Sequence, residues 1–162
     1  EEVPFRWMTG TQSHEGMAGT KAAIDYIAWI GREVSGNEGL ARREALKVAY
    51  TAIEEHEREL CLRMIHGMTE IDGLKIWGIT NPERIAERSP TVSFTHPKMT
   101  ASEIGSLLAE RGIFVWAGNF YALELTEALG LEPEGVLRVG LLHYNSMEEV
   151  DFFLSSIREI LQ

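Results

Sequence analysis

Cysteine is almost missing from this sequence: Cys61 is alone among 162 residues. No disulfide can form within the chain, and a reducing compartment is the expected setting. Basic residues are also scarce, 15 Lys and Arg against 25 Asp and Glu, giving a net charge of −10. This balance argues against a nucleic-acid backbone as partner, because phosphate binding needs a basic face, and an anionic membrane surface is disfavoured for the same reason. No apolar run approaches the roughly 20 residues of a membrane-spanning helix. The opening Glu-Glu-Val-Pro-Phe-Arg lacks the basic-then-apolar order of a secretory signal. Internal repeats and low-complexity tracts are absent too. What remains is an acidic, soluble, cytoplasmic chain, 44% apolar and long enough to bury a sizeable core. Because it opens on Glu1 rather than methionine, a processed, trimmed or partial chain is expected.

Hydrophobic spacing divides the chain into helices first, then strands mixed with helices. Residues 1–16 read as irregular. From Met17 to about Val34, Ala23, Ile24, Ile27, Ala28 and Ile30 recur at helical spacing. Ser35-Gly-Asn-Glu-Gly39 breaks the pattern. A longer helix is predicted from Leu40 to about His66, with Ala45, Ala49, Ile53, Leu60 and Met64 on its apolar stripe and Gly67 as its stop. Strands are predicted at 74–77, 91–95, 113–116 and 136–142, and a short helix over 121–129 ended by Gly130. Two capping boxes, Thr100-Ala-Ser-Glu103 and Ser146-Met-Glu-Glu149, open further helices, because each hydroxyl can accept from a free amide while the glutamate reaches back. The first of these helices should end near Arg111, with Gly112 as its left-handed cap. The second should bury Val150, Phe153, Leu154, Ile157 and Leu161 on one face. The expected class is α+β: a small antiparallel sheet layered with helices and preceded by two helices.

Few residues stand out chemically. The glycines between Gly10 and Gly19 could cradle a phosphate at a helix start, or could simply form a helix-entry loop. No Gly-Lys-Ser/Thr closes the segment as a nucleotide P-loop, and no apolar strand precedes it as in a Rossmann turn. His14, His56, His66, His96 and His143 share no ligand spacing with one another or with Cys61, so no metal is expected. Cys61 sits mid-helix between Leu60 and Leu62 and reads as a small buried hydrophobe rather than a nucleophile. Arg138 is less ordinary. It lies centrally in an apolar strand, where a guanidinium is costly unless it meets an anion; an internal ion pair and a ligand contact are both open. The Trp116-Ala-Gly-Asn-Phe-Tyr121 loop likewise reads as either aromatic core filling or a binding loop.

Three segments in order carry a resemblance: Thr9-Gly-Thr-Gln-Ser-His-Glu-Gly16, Gly112-Ile-Phe-Val-Trp-Ala-Gly-Asn-Phe-Tyr121 and Arg138-Val-Gly-Leu-Leu-His-Tyr-Asn-Ser-Met-Glu-Glu-Val-Asp151. Together they resemble the C-terminal part of cysteine-desulfurase-like, class V aminotransferase-type enzymes, which use pyridoxal 5'-phosphate (PLP) and share the fold-type-I architecture. The resemblance implies that residues 1–39 are a linker and helix from the end of a large PLP-binding domain. Residues 40–162 are then the C-terminal small domain. It implies that Gly10 and Thr11 contact the phosphate of a cofactor held by the neighbouring subunit, hence a homodimer with shared active sites. It further implies that Arg138 pairs with the α-carboxylate of an amino-acid substrate and that Asn119 also binds that substrate.

Two departures from the family pattern are visible. Tyr121 occupies the position of the desulfurase nucleophilic cysteine, so a persulfide route lacks its thiol. None of Lys21, Lys47, Lys75 and Lys98 follows a histidine as the family's Schiff-base lysine does; His96-Pro-Lys98 is the nearest approach. No catalytic residue is therefore assigned within this chain, and the domain bearing that lysine is expected to precede it. Two functions stay open: a segment of a PLP-dependent lyase or transferase that is inactive by itself, or a non-catalytic binding or dimerisation module retaining the family fold.

Overall fold

The computed structural model describes residues 2–3 and 5–162. The irregular stretch expected over 1–16 includes Glu1 and Pro4, which lie outside the described residues. Its described part holds a 3-10 turn, Phe5–Trp7, and from His14 the start of a helix. Two compact units follow, residues 1–54 and 55–162.

The first unit is built from helix α1, His14–Ser35, and the first half of α2, Arg42–Thr69. Helix α1 begins earlier than its apolar spacing suggested, because the Ser13 hydroxyl caps it by accepting from the Gly16 amide at 3.1 Å. It ends where Gly36 takes a left-handed φ of 63° and returns its amide to Arg32 and Glu33 carbonyls. The seam between the helices is made of small residues: Ala28, Gly31, Ala45 and Ala49 are all buried. At Gly31 a Cβ would lie 1.8 Å from the Ala45 carbonyl oxygen, so the two backbones touch there directly.

In the second unit, strands β1 (Lys75–Trp77), β2 (Thr91–Thr95), β3 (Trp116–Gly118) and β4 (Val136–Gly140) form one sheet in the order β1-β2-β4-β3. Every pairing is antiparallel. Period-two alternation puts Val92 and Phe94 of β2, with Leu137 and Val139 of β4, on one face. There they join Leu60, Met64 and Met68 of α2, Ile104 and Leu108 of α3 (Ala101–Glu110) and Val150, Phe153, Leu154 and Ile157 of α5 (Met147–Leu161) in a single core. Each such side chain removed from water contributes about 1.5–3 kcal/mol before ordering costs. The α+β expectation holds, with helices layered on a small antiparallel sheet.

Both capping boxes form with both arms. Thr100 accepts from the Glu103 amide at 3.2 Å while Glu103 accepts from the Thr100 amide at 2.8 Å. Ser146 and Glu149 repeat the pattern at the start of α5. These bonds hold the Glu103 and Glu149 carboxyls below the ordinary range, backbone amide donation being the larger cause in each. The sign follows: this help to the helix starts is complete above the unfolded-state value and fades as pH falls through the folded one.

Three expectations are corrected. Gly67 does not stop α2, which runs on to Thr69; the missing Cβ serves tertiary packing instead, since Leu154 of α5 occupies its place at 2.4 Å. The strand expected at 113–116 pairs only over Trp116–Gly118, because Ile113 and Val115 reach the core from unpaired chain. The helix expected over 121–129 is α4, Leu123–Ala128, since Phe120 and Tyr121 both take left-handed backbone conformations.

Candidate functional site

The uncovered side of the sheet carries the chemistry. Arg138 lies mid-way along β4, opposite Ser93 of β2 and Trp116 of β3, and Ser93 in turn faces Trp77 of β1. One row thus crosses the sheet as Trp77, Ser93, Arg138, Trp116, with Trp116 68% exposed. At one end of it, Trp77 donates its indole N–H to Thr95 Oγ1 at 3.0 Å, and Lys75 Nζ stands 3.6 Å from the ring centroid.

Arg138 is half-buried, and among the described residues no carboxylate pairs with it. Lys21, Lys47, Arg63, Arg84, Arg111 and Arg158 all have acidic partners. Among the described residues, the internal ion pair that the sequence left open is therefore not formed. What Arg138 does have is an aromatic ring: its guanidinium carbon stands 4.0 Å from the centroid of Phe120. This contact was not foreseen from sequence. The only sign of it was an aromatic residue placed directly after Gly118-Asn119.

The loop that supplies Phe120 is tied from both sides. Asn119 Oδ1 accepts from the Tyr121 amide at 3.2 Å, and Asn119 Nδ2 donates to Glu132 Oε1 at 3.3 Å. Glu132 also accepts from the Thr126 hydroxyl, itself buried within α4. Gly118 and Gly135 make close backbone contact beneath the loop, where a Cβ on Gly135 would lie 2.3 Å from the Gly118 carbonyl carbon. Asn119, Phe120 and Arg138 are thereby brought into one neighbourhood. Tyr121 stands fully exposed at the loop tip with φ 61°.

Gly10 and Thr11 belong to the first unit, in an exposed bend just before α1. The next two residues, Gln12 and Ser13, line an open groove of about 920 Å³ together with Lys21, Arg42 and Arg43. A hydroxyl, backbone amides at a helix start and nearby cations form a donor set that suits a phosphate. The residues present fit that end of PLP. Of the four lysines, Lys21 pairs with Asp25 and Lys47 with Glu44, Lys75 lies over Trp77 and Lys98 is exposed.

Cys61 is buried, 2% exposed, in α2, and burial pushes its thiol up from the ordinary value. A neutral, enclosed thiol is a poor nucleophile. With a disulfide reagent at neutral pH, the expected result is no measurable reaction of the folded chain and a single reacting thiol after denaturation. Prompt reaction of the folded chain would contradict the burial. Among the described residues no group of three His, Cys, Asp or Glu side chains could hold a metal ion, and no helix is long and apolar enough to cross a membrane.

The family model for class-V aminotransferases matches residues 1–153. The chain is 35% identical over 144 residues to the aminotransferase-like protein FGM3 of Gibberella zeae, covering 88% of this chain and 33% of that protein. It is 29% identical over 159 residues to the probable cysteine desulfurase 2 of Mycobacterium leprae, covering 98% and 32%. Among solved structures, the apo cysteine desulfurase of Thermococcus onnurineus superposes with a TM-score of 0.65 at 28% identity, over 74% of this chain and 28% of that one. The cysteine desulfurase CsdA of Escherichia coli matches the fold of the whole chain with a TM-score of 0.72 at 22% identity, over 35% of its own length. The chain spans about a third of the length of the curated relatives it matches. With nearly all of its residues under one family model, this chain belongs to the class-V aminotransferases and is cysteine-desulfurase-like among them.

Proposed function

We propose that this chain forms the substrate-carboxylate side of a PLP-dependent enzyme acting on an amino acid. The observation that carries the reading is Arg138: a half-buried guanidinium central in β4 with no carboxylate partner among the described residues. An α-carboxylate supplies the missing anion, and a planar guanidinium receives it through two parallel N–H···O bonds, which Lys cannot reproduce. Held this way, the substrate keeps one orientation about its Cα. PLP, when bound, supplies an electron sink for charge developing at that carbon.

In the whole protein, residues 1–39 then close a larger cofactor-binding domain and 40–162 form the small domain. The lysine that anchors the cofactor lies outside these residues, and the protein works in the cytoplasm. Gly10 and Thr11 hold the phosphate of a cofactor bound by the neighbouring subunit of a homodimer. Asn119 supports the substrate site by holding the loop over Arg138. With a phenol at Tyr121 and Cys61 enclosed in α2, no residue of this chain is assigned as a sulfur acceptor. The second reading, a non-catalytic module, is favoured by the lysines alone, none of which stands free beside Arg138.

The test is discrimination by carboxylate. In the whole protein loaded with PLP, Arg138→Gln is expected to weaken L-cysteine by about 30-fold or more, the scale of a lost charged hydrogen-bond pair, while cysteamine, which lacks the carboxylate, is unaffected. Cofactor loading should be unchanged. Unaltered L-cysteine affinity in the variant would defeat the assignment, and a whole protein that takes up no PLP would favour the non-catalytic module.

A further inference from the structure

We propose that Phe120 is a positioning residue for Arg138, a platform that fixes the guanidinium in the plane from which it receives a carboxylate. The proposal rests on the carboxylate reading of Arg138 and goes beyond it. An arginine reaching from the middle of a strand toward an open face has several torsions free, and among the described residues no acid or carbonyl restrains its end. The Phe120 ring, its centroid 4.0 Å from Cζ, is the partner that does so among them. A ring within about 6 Å attracts the cation through its electron-rich face. The ring meets the guanidinium over its carbon, and among the described residues no hydrogen bond or ion pair occupies its N–H groups, which stay available to a carboxylate.

The backbone indicates that this placement is held rather than incidental. Phe120 and Tyr121 are consecutive residues at φ 55° and 61°, a region bulky side chains seldom occupy. The surrounding bonds hold them there: Asn119 bridges the Tyr121 amide and Glu132, and Glu132 is joined to Thr126 of α4. Phe120 is half-buried, whereas its neighbour Tyr121 projects fully into solvent. Of the two aromatics at this turn, the loop directs one onto the arginine and leaves the other outside.

The experiment uses the whole protein loaded with PLP, with L-cysteine and cysteamine titrated against the cofactor absorbance. Phe120→Leu keeps the apolar bulk and removes the electron-rich face. Its dissociation constant for L-cysteine is expected to rise about tenfold, with cysteamine changed less than about twofold. Phe120→Tyr restores the ring and should restore L-cysteine binding. Phe120→Asn suits the left-handed backbone better than Leu and should repeat the Leu result, so the test survives if the Leu variant folds poorly. Equal weakening of both ligands, unchanged L-cysteine binding in both ring-less variants, or failure of Tyr to rescue would each overturn the platform. If Arg138→Gln leaves L-cysteine binding intact, the carboxylate reading itself fails. If Arg138→Gln abolishes the preference for L-cysteine and Phe120→Leu does not weaken it, only the platform fails.

Discussion

Gly135→Ala is expected to destabilise the chain by about 3–5 kcal/mol, with two separable causes. Gly135 sits at φ 67°, where a Cβ costs about 1–2 kcal/mol by its clash with the following carbonyl. Its Cβ would also lie 2.3 to 2.8 Å from the carbonyl carbon, carbonyl oxygen and Cα of Gly118. That neighbour is backbone and cannot rotate away, so β3 and β4 must separate where Gly118 pairs with Val136. Overpacking of this kind adds a further few kcal/mol. Gly130→Ala isolates the first cause, because Gly130 has φ 69° with nothing within 4 Å of its Cβ position. Urea denaturation of both variants reads the difference as a shift in midpoint at constant slope. Equal losses in the two would remove the Gly118–Gly135 contact as a determinant of the sheet edge.

Gly31→Ala is the second large effect, and its sign runs against helix propensity. Replacing Gly by Ala inside a helix ordinarily stabilises by about 1 kcal/mol. At Gly31 the new methyl would lie 1.8 Å from the Ala45 carbonyl oxygen and 2.6 Å from its carbon. Helices α1 and α2 would have to move apart, opening the seam of Ala28, Ala45 and Ala49. The net loss is expected to be about 3 kcal/mol. Gly19→Ala, in the same helix with open space at its Cβ, should instead stabilise by about 0.5–1 kcal/mol. Amide exchange across α1 distinguishes the two: faster in the Gly31 variant and slower in the Gly19 variant. Stabilisation by both would mean that the helices do not meet at Gly31.

What was legible in the sequence was the part set by neighbours along the chain. The capping boxes at Thr100 and Ser146 were readable because their bonds span three residues. The buried face of α5 was readable because a single period writes it. Arg138 was conspicuous for an equally local reason, a charge within an apolar strand. Other features depended on distant residues. Gly67 looked like a helix stop, and only the approach of Leu154 explains it as a packing position. Ile113 and Val115 alternate like a strand, yet pairing with β4 begins at Trp116. The placement of the Phe120 ring against Arg138 needs a turn with two successive left-handed residues, held in part by Glu132 well downstream, and no short-range pattern encodes it.

The row that crosses the open sheet face has an optical consequence. Of the four tryptophans in the chain, Trp7 and Trp29 lie in the first unit, while Trp77 and Trp116 occupy the two outer positions of the row containing Ser93 and Arg138. All the indole emission of the second unit therefore originates on the face that holds the arginine. The molecule carries its own fluorophores at the place where a substrate carboxylate is proposed to dock, and that face can be watched without attaching a label.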